Sequence, residues 1–396
     1  SAVEIYQRLS VANPQVYEPD LARTRNNLGC LYDNTQRYKE SEEMYLSVLT
    51  VYQRLTIANP QVYELDLART QNNLGNLYRD TQRYKESEEM YLSAVEIYQR
   101  LSVANPQVYE PDLAMVQNNL GLLYSDIQRY EDSEKMHLSA VEIYRRLAAA
   151  NPQVYEPDLA ETQNDLGILY SDTRRYEESE EMYLSAMEIR RRLAVANPQV
   201  YEPGLARTQY NLGCLYSDTR RYEESEKMYL SAMEIRRRLA VANPQVYEPD
   251  LADTQYNLGC LYYNIQRYEE SGEMYLSALK VYQRLTVADP QVYEPYLVRA
   301  CNNLSFLFLA QGNFEEAERY AREGAKYDST HHTIYTNLAA SLLFQGRYAE
   351  AEEIYLRYKE ELKEDFLSDF EDFYQRGIIP PEREDDVERI KKLLSK

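Results

Sequence analysis

LAMVQNNLGLLYSDIQRYEDSEKMHLSAVEIYRRL, residues 113–147, carries two helical patterns joined by a tight turn. Its Asn-Leu-Gly tripeptide, or a near equivalent, starts at Asn27, Asn73, Asn119, Asp165, Asn211, Asn257 and Asn303, each 46 residues after the one before. One more copy, Asn337-Leu338-Ala339, follows after 34. Self-similarity at a fixed period of this size specifies an all-α solenoid: antiparallel helix pairs whose single core grows by addition.

Outward from that stretch the chain divides into four parts. Residues 1–12 read as the remnant of a truncated repeat helix, because Ser1–Tyr6 matches Ser93–Tyr98, which lies inside a helix. Residues 13–296 hold six 46-residue helix-turn-helix repeats with connectors, 297–364 two 34-residue repeats, and 365–396 C-terminal capping helices. Within a long repeat the first helix is expected to open at Pro19-Asp20 or its equivalent, with proline at a first helical position. Leu21, Thr24, Leu28, Leu31 and Tyr32 share a face, and Gly29 lets a neighbouring helix approach. The second helix starts near Lys39, turns Ser41, Met44, Tyr45, Val48, Tyr52 and Leu55 inward, and stops at Ala58-Asn59-Pro60. The recurring NPQVYEP segment, bounded by two prolines, is expected to be an extended connector whose tyrosine (Tyr17, Tyr63 and their counterparts) tucks back against the helices.

A net charge of −21 argues against nucleic-acid backbones and anionic membrane surfaces as partners. No apolar run is long enough to cross a bilayer. The four cysteines, Cys30, Cys214, Cys260 and Cys301, form no CxxC and occur irregularly. A reducing, cytoplasmic compartment is the natural expectation.

No catalytic constellation, metal site or cofactor motif stands out. His137 takes the place of a tyrosine in sister repeats, which suits a core variant. His331-His332 sits at a helix start with no carboxylate or thiol cluster at ligand spacing. The chain has 12 glycines and no phosphate-cradling loop.

The run NNLGxLYxxxxRYEESEEMYLSAxEI resembles the tetratricopeptide repeat, and the long unit looks most like the extended repeat of kinesin light chains. Leu28, Gly29, Tyr32, Ser41, Tyr45 and Ala94 stand where that family places its Leu, Gly, Tyr, small residue, large aromatic and Ala. The family usually ends the first helix on glycine, here only Gly312 and Gly346; the long repeats carry Gln36, Gln82, Gln128, Arg174, Arg220 and Gln266 instead. At 297–330 the large aromatic is replaced by Ala321, with Tyr320 beside it. The resemblance implies a right-handed superhelix whose first helices line a concave groove for a partner peptide or protein.

The repeats vary most on that side of the first helix. Arg23, Arg69, Met115, Glu161, Arg207, Asp253 and Arg299 form one varying row. Asn26, Asn72, Asn118, Asn164, Tyr210, Tyr256 and Asn302 form a second, and Cys30, Asn76, Leu122, Ile168, Cys214, Cys260 and Phe306 a third. Spacings of three to four residues put the rows on one helical side. Asn27, Asn73, Asn119, Asn211, Asn257, Asn303 and Asn337 recur inside helices, where asparagine is unfavourable by roughly 0.6 kcal/mol against alanine. Such amides either pair with the backbone of an extended ligand or bridge neighbouring repeats. Asp165 breaks the series with an acceptor-only carboxylate. The candidate groove therefore comprises Arg69, Asn72, Asn73, Asn118, Asn119, Asn164, Asp165, Arg207, Tyr210, Asn211, Tyr256, Asn257, Asn303 and Phe306. The expectation is a non-enzymatic scaffold without cofactors, binding a protein or peptide there. The alternatives are a sensor or assembly arm of a larger protein, and end-to-end self-association through the apolar face of Ser1–Ser10.

Overall fold

The computed structural model describes residues 1–327 and 333–395, and among them it contains helices and no strand. Two compact units are present, Ser1–Gly204 and Leu205–Lys396.

In the first unit, α1 (Ala2–Ala12) is followed by four helix pairs. These are α2 (Pro14–Asn34) with α3 (Tyr38–Ala58), α4 (Pro60–Asp80) with α5 (Tyr84–Ala104), α6 (Pro106–Asp126) with α7 (Tyr130–Ala150), and α8 (Pro152–Asp172) with α9 (Tyr176–Ala196). The next pair is α10 (Pro198–Asp218) with α11 (Tyr222–Ala242). The second unit continues with α12 (Pro244–Asn264), α13 (Tyr268–Ala288), α14 (Pro290–Ala310), α15 (Phe314–Tyr327), α16 (Thr333–Phe344) and α17 (Tyr348–Arg357). It closes with α18 (Lys359–Gln375), a short 3-10 turn at Pro381–Arg383 and α19 (Glu384–Leu394).

The expected extended connectors do not form. NPQVYEP is the opening of each first helix, which starts at Pro14, Pro60, Pro106 and their counterparts rather than at Pro19-Asp20. Proline at the first helical position loses only an amide that has no intrahelical partner, and its φ is preset. The second proline, Pro19 and its equivalents, lies inside the helix. The carbonyl it leaves without a donor belongs to Gln15, at the exposed amino end where water can serve it. A single non-helical residue, such as Asn59 with φ −148° and ψ 81°, separates one pair from the next. Two helices of 21 residues, a three-residue turn and that one link account for the period. The NPQVYEP tyrosines are thus helical and half-buried; the Tyr63 ring lies 6.4 Å from that of Tyr52.

The turn within each long pair keeps the left-handed backbone that glycine usually supplies. Gln36, Gln82, Gln128, Arg174, Arg220 and Gln266 have φ between 57° and 62°, against 73° at Gly312 and 80° at Gly346. At the end of α4, Gln82 N–H donates to the Arg79 carbonyl at 2.9 Å and Arg83 N–H to that of Tyr78 at 2.7 Å. These bonds satisfy carbonyls that a helix end leaves open, so the turn persists although a side chain in this conformation costs about 1 kcal/mol. The following arginine fastens the turn: Arg83 lies 4.2 Å above the Tyr78 ring and 2.6 Å from Glu42 of the preceding pair. Arg129 repeats the arrangement with Tyr124 and Glu88, and Arg175 with Tyr170 and Glu134.

Inside each pair, glycine meets an aromatic ring. A Cβ on Gly75 would come within 2.6 Å of Tyr91, and one on Gly121 within 2.8 Å of His137. The neighbouring Ser87 hydroxyl donates to the Gly75 carbonyl at 2.8 Å, and Ser133 does the same to Gly121. In the first short repeat the small residues change places: Ser305, on α14, donates to the Ala317 carbonyl at 2.7 Å. The ring that meets this position in the long repeats is absent, Ala321 standing in its place, and Tyr320 beside it stacks 5.5 Å from Phe308.

Candidate functional site

The candidate residues come from successive first helices, which bring positions 47 apart in sequence into contact. In the first unit these contacts are largely amide to amide. Asn73 Nδ2 donates to Asn26 Oδ1 at 3.3 Å, and Asn119 Nδ2 to Asn72 Oδ1 at 3.0 Å. Asn118 Nδ2 donates to Asp165 Oδ2 at 2.9 Å. Asn72, Asn118, Asn164 and Asp165 are buried, while Arg69 is exposed and lies 3.6 Å from Asp112. Of the two uses open to these amides, bridging between repeats is the one their hydrogen bonds describe.

That network sets the state of His137. Because Asn118 gives its amide protons toward Asp165, its Oδ1 faces the His137 ring at 2.8 Å from Nδ1. Nδ1 is therefore the protonated nitrogen of a neutral ring. Burial, reinforced by Arg79, pushes the His137 pKa down from 6.5 to about 4. His331 and His332 lie outside the described residues. Among the described residues no group of three or more His, Cys, Asp or Glu could hold a metal ion, and no helix is long and apolar enough to cross a membrane.

In the second unit tyrosines take the asparagine row, and the lining changes character. Asn257 Nδ2 donates to the Tyr210 hydroxyl at 2.6 Å and Asn303 Nδ2 to that of Tyr256 at 2.8 Å. The Tyr210 ring lies 5.9 Å from Tyr229 and the Tyr256 ring 5.6 Å from Tyr275. Asn337 Nδ2 donates to Asn302 Oδ1 at 2.9 Å. Arg207 and Asn211 are half-buried on α10.

Around Tyr210, Tyr256 and Asn257 opens a recess of about 620 Å³, lined by α10, α12 and α14 with Tyr229 and Tyr282 behind them. Its charged groups are Asp218, Asp253 and Arg299. Asp253 accepts from the Tyr282 hydroxyl at 2.6 Å, and burial raises its pKa. Arg299 is exposed and lies over the Tyr256 ring at 4.9 Å. Burial keeps the hydroxyls of Tyr210, Tyr229 and Tyr256 protonated well above neutrality, Tyr256 to about 12. Beneath Tyr210, Arg236 is buried, bonded to the Asp250 carbonyl at 2.8 Å and the Thr254 hydroxyl at 2.6 Å. The recess presents hydroxyl and guanidinium donors, carboxylate acceptors and aromatic faces.

Phe306 does not line this recess. It lies at the edge of a smaller hollow of about 200 Å³ with Tyr263 and Asn303, and it packs 6.0 Å from Phe373 of α18. Sequence reasoning left out Asp253, Arg299, Tyr282, Tyr296 and Arg236. Asp253 and Arg299 belonged to the varying rows. Arg236, which stands where sister repeats hold Tyr52, Tyr98, Tyr144 and Tyr282, announced itself as a charge at a core position.

Tetratricopeptide repeat profiles match residues 66–146, 112–192 and 158–238, residues 308–367, and residues 21–56 and 251–290. Similar solved structures include a signal-transduction ATPase with numerous domains and a tetratricopeptide repeat sensor from Pyrococcus horikoshii. It is 17% identical over 93% of this chain and 54% of its own, at TM-score 0.61. The apo quorum sensor NprR from B. thuringiensis is 15% identical over 92% of this chain and 99% of its own, at TM-score 0.51. BtubC (BKLC) from P. vanneervenii is 24% identical over 61% and 88%, at TM-score 0.49. No curated protein sequence matches the chain.

Proposed function

The chain belongs to the tetratricopeptide repeat family, and from that premise we propose that it is a non-catalytic scaffold binding a partner peptide or protein along its first helices. The observation that carries this reading is the recess on α10, α12 and α14. It brings the exposed Arg299, the Asp253 carboxylate and tyrosine rings together in one hollow, although its asparagines, like those of the first unit, bond between repeats. Asn257, Tyr210, Tyr256 and Arg299 are the residues proposed to meet the ligand. Tyrosine and arginine supply large contact area and directional donors, which suits them to dominate a binding surface.

A second reading, a sensor arm within a larger protein, draws on the likeness to the sensor-bearing ATPase of Pyrococcus horikoshii. The test is selection of peptides from a random library on the full chain, followed by Arg299→Ala and Tyr296→Ala. Both positions are solvent-accessible, so the fold should tolerate the changes. A loss of about tenfold or more in affinity is expected; selected peptides that bind both variants as well as the parent would reject the recess as the site.

A further inference from the structure

Helix α18 does more than cover the last helix pair. A cap on α16 and α17 needs no contact with earlier repeats, yet Arg376, at the end of α18, donates from Nη1 to the Tyr263 hydroxyl on α12 at 2.8 Å. The two residues are 113 positions apart. Phe373 packs 6.0 Å from Phe306 on α14 and 5.6 Å from Phe344 on α16. Phe306 in turn lies 5.7 Å from Tyr263, and the Arg376 guanidinium is 5.9 Å from both rings. Tyr263 is the residue before Asn264, which lines the recess, and Phe306 belongs to the most variable row of the first helices. The carboxyl end of α18 therefore packs on the first helices α12 and α14, beside the open recess.

We propose that this contact is autoinhibitory: α18 occupies the α12–α14 part of the lining in cis, and a partner running past Asn257 must displace its last turn. Phe366, Phe370 and Phe373 are all almost completely buried, so displacing the last turn uncovers the Phe373 ring from Phe306 and Phe344. Arg376 is held at its far end by Asp372 at 2.8 Å and by Tyr263, with its side chain 42% exposed. Gly377, at φ 65°, ends the helix immediately afterwards, with Ile378 N–H donating to the Phe373 carbonyl at 2.9 Å. The occupant also states what this part of the face accepts: a helical segment presenting an aromatic ring to Phe306 and a cation to Tyr263.

The proposal rests on the reading of the first helices as a binding face, and its test separates the two. The probe is a synthetic peptide with the sequence of residues 359–376, added to the full chain and to the Phe373→Leu/Arg376→Ala variant. Expected is binding to the variant at least tenfold tighter than to the parent, lost when Tyr263→Ala is added and kept when Arg299→Ala is added. Equal binding to parent and variant, or none to a variant that keeps its parent's melting profile, overturns it. Arg376→Ala alone provides a check independent of the probe: amide exchange at 371–376 should quicken about fivefold or more while α16 and α17 stay protected. Unchanged exchange there counts against the proposal. Loss of the tenfold difference with library peptides still sensitive to Arg299 would sink the autoinhibition and leave the recess standing.

Discussion

Protonating His137 would create a charged ring with Nε2 in the core and Nδ1 already committed to Asn118. Its folded pKa, about 4, lies below the 6.5 of an unfolded histidine, so the native state binds fewer protons in that window. The stabilisation is whole above pH 6.5 and is lost as pH falls toward 4, by about 3 kcal/mol in all. His137→Phe should flatten the pH dependence of α6–α7 stability between these limits, whatever its cost at neutral pH. Chemical denaturation followed from pH 7 to pH 4 checks this, and an unchanged slope would refute it. The histidine was legible as a core substitution for tyrosine, but its tautomer was not. That is fixed by Asn118 and Asp165, which only the stacking of α6 on α8 brings together.

Helix ends and helix contacts carry the next set of expectations. Gln82→Gly relieves a side chain held at φ 59° and should stabilise the α4–α5 turn by about 1 kcal/mol, read as a higher urea midpoint. Gly121→Ala acts the other way: its new Cβ meets a buried ring, and the expected loss is about 1–3 kcal/mol despite alanine's better helix propensity. Asp369 on α18 gives that element a pH response opposite in sign to that of His137. Burial, together with Asp365 and Asp372, raises its pKa from 3.8 to about 6. The native carboxyl keeps its proton where the unfolded one has lost it, so stability is greatest below 3.8 and declines as pH rises through 6, by roughly 2–3 kcal/mol. Asp369→Asn should remove that decline and slow amide exchange in α18 at pH 7.5, once intrinsic rates are corrected. Of these features, the Gly–aromatic pairing was visible in sequence. The turn geometry was not, because glutamine carries no signal of a left-handed backbone.

At the scale of the whole molecule, each helix pair within a unit packs mainly on its neighbours, and lesions should stay local. Gly121→Ala is expected to speed amide exchange in α5–α8 while leaving α12–α15 unchanged; a uniform rise across both units would show a more cooperative molecule than the repeat implies. The sequence by itself determined the repeat, its period, the helical class and the inner faces, because periodic apolar positions and small residues fix how identical hairpins stack. It misplaced the first-helix starts, since NPQVYEP reads as two breaks when only Asn breaks and the proline after it begins a helix. Only the tertiary structure decided the fate of the polar rows. An asparagine facing a ligand and one facing the next repeat have the same local sequence, and the choice depends on which side chain the neighbouring helix sets 47 residues away. The same holds for α18, whose amphipathic pattern announces a buried face but not which surface it covers, because that surface is assembled from helices far from it in the chain.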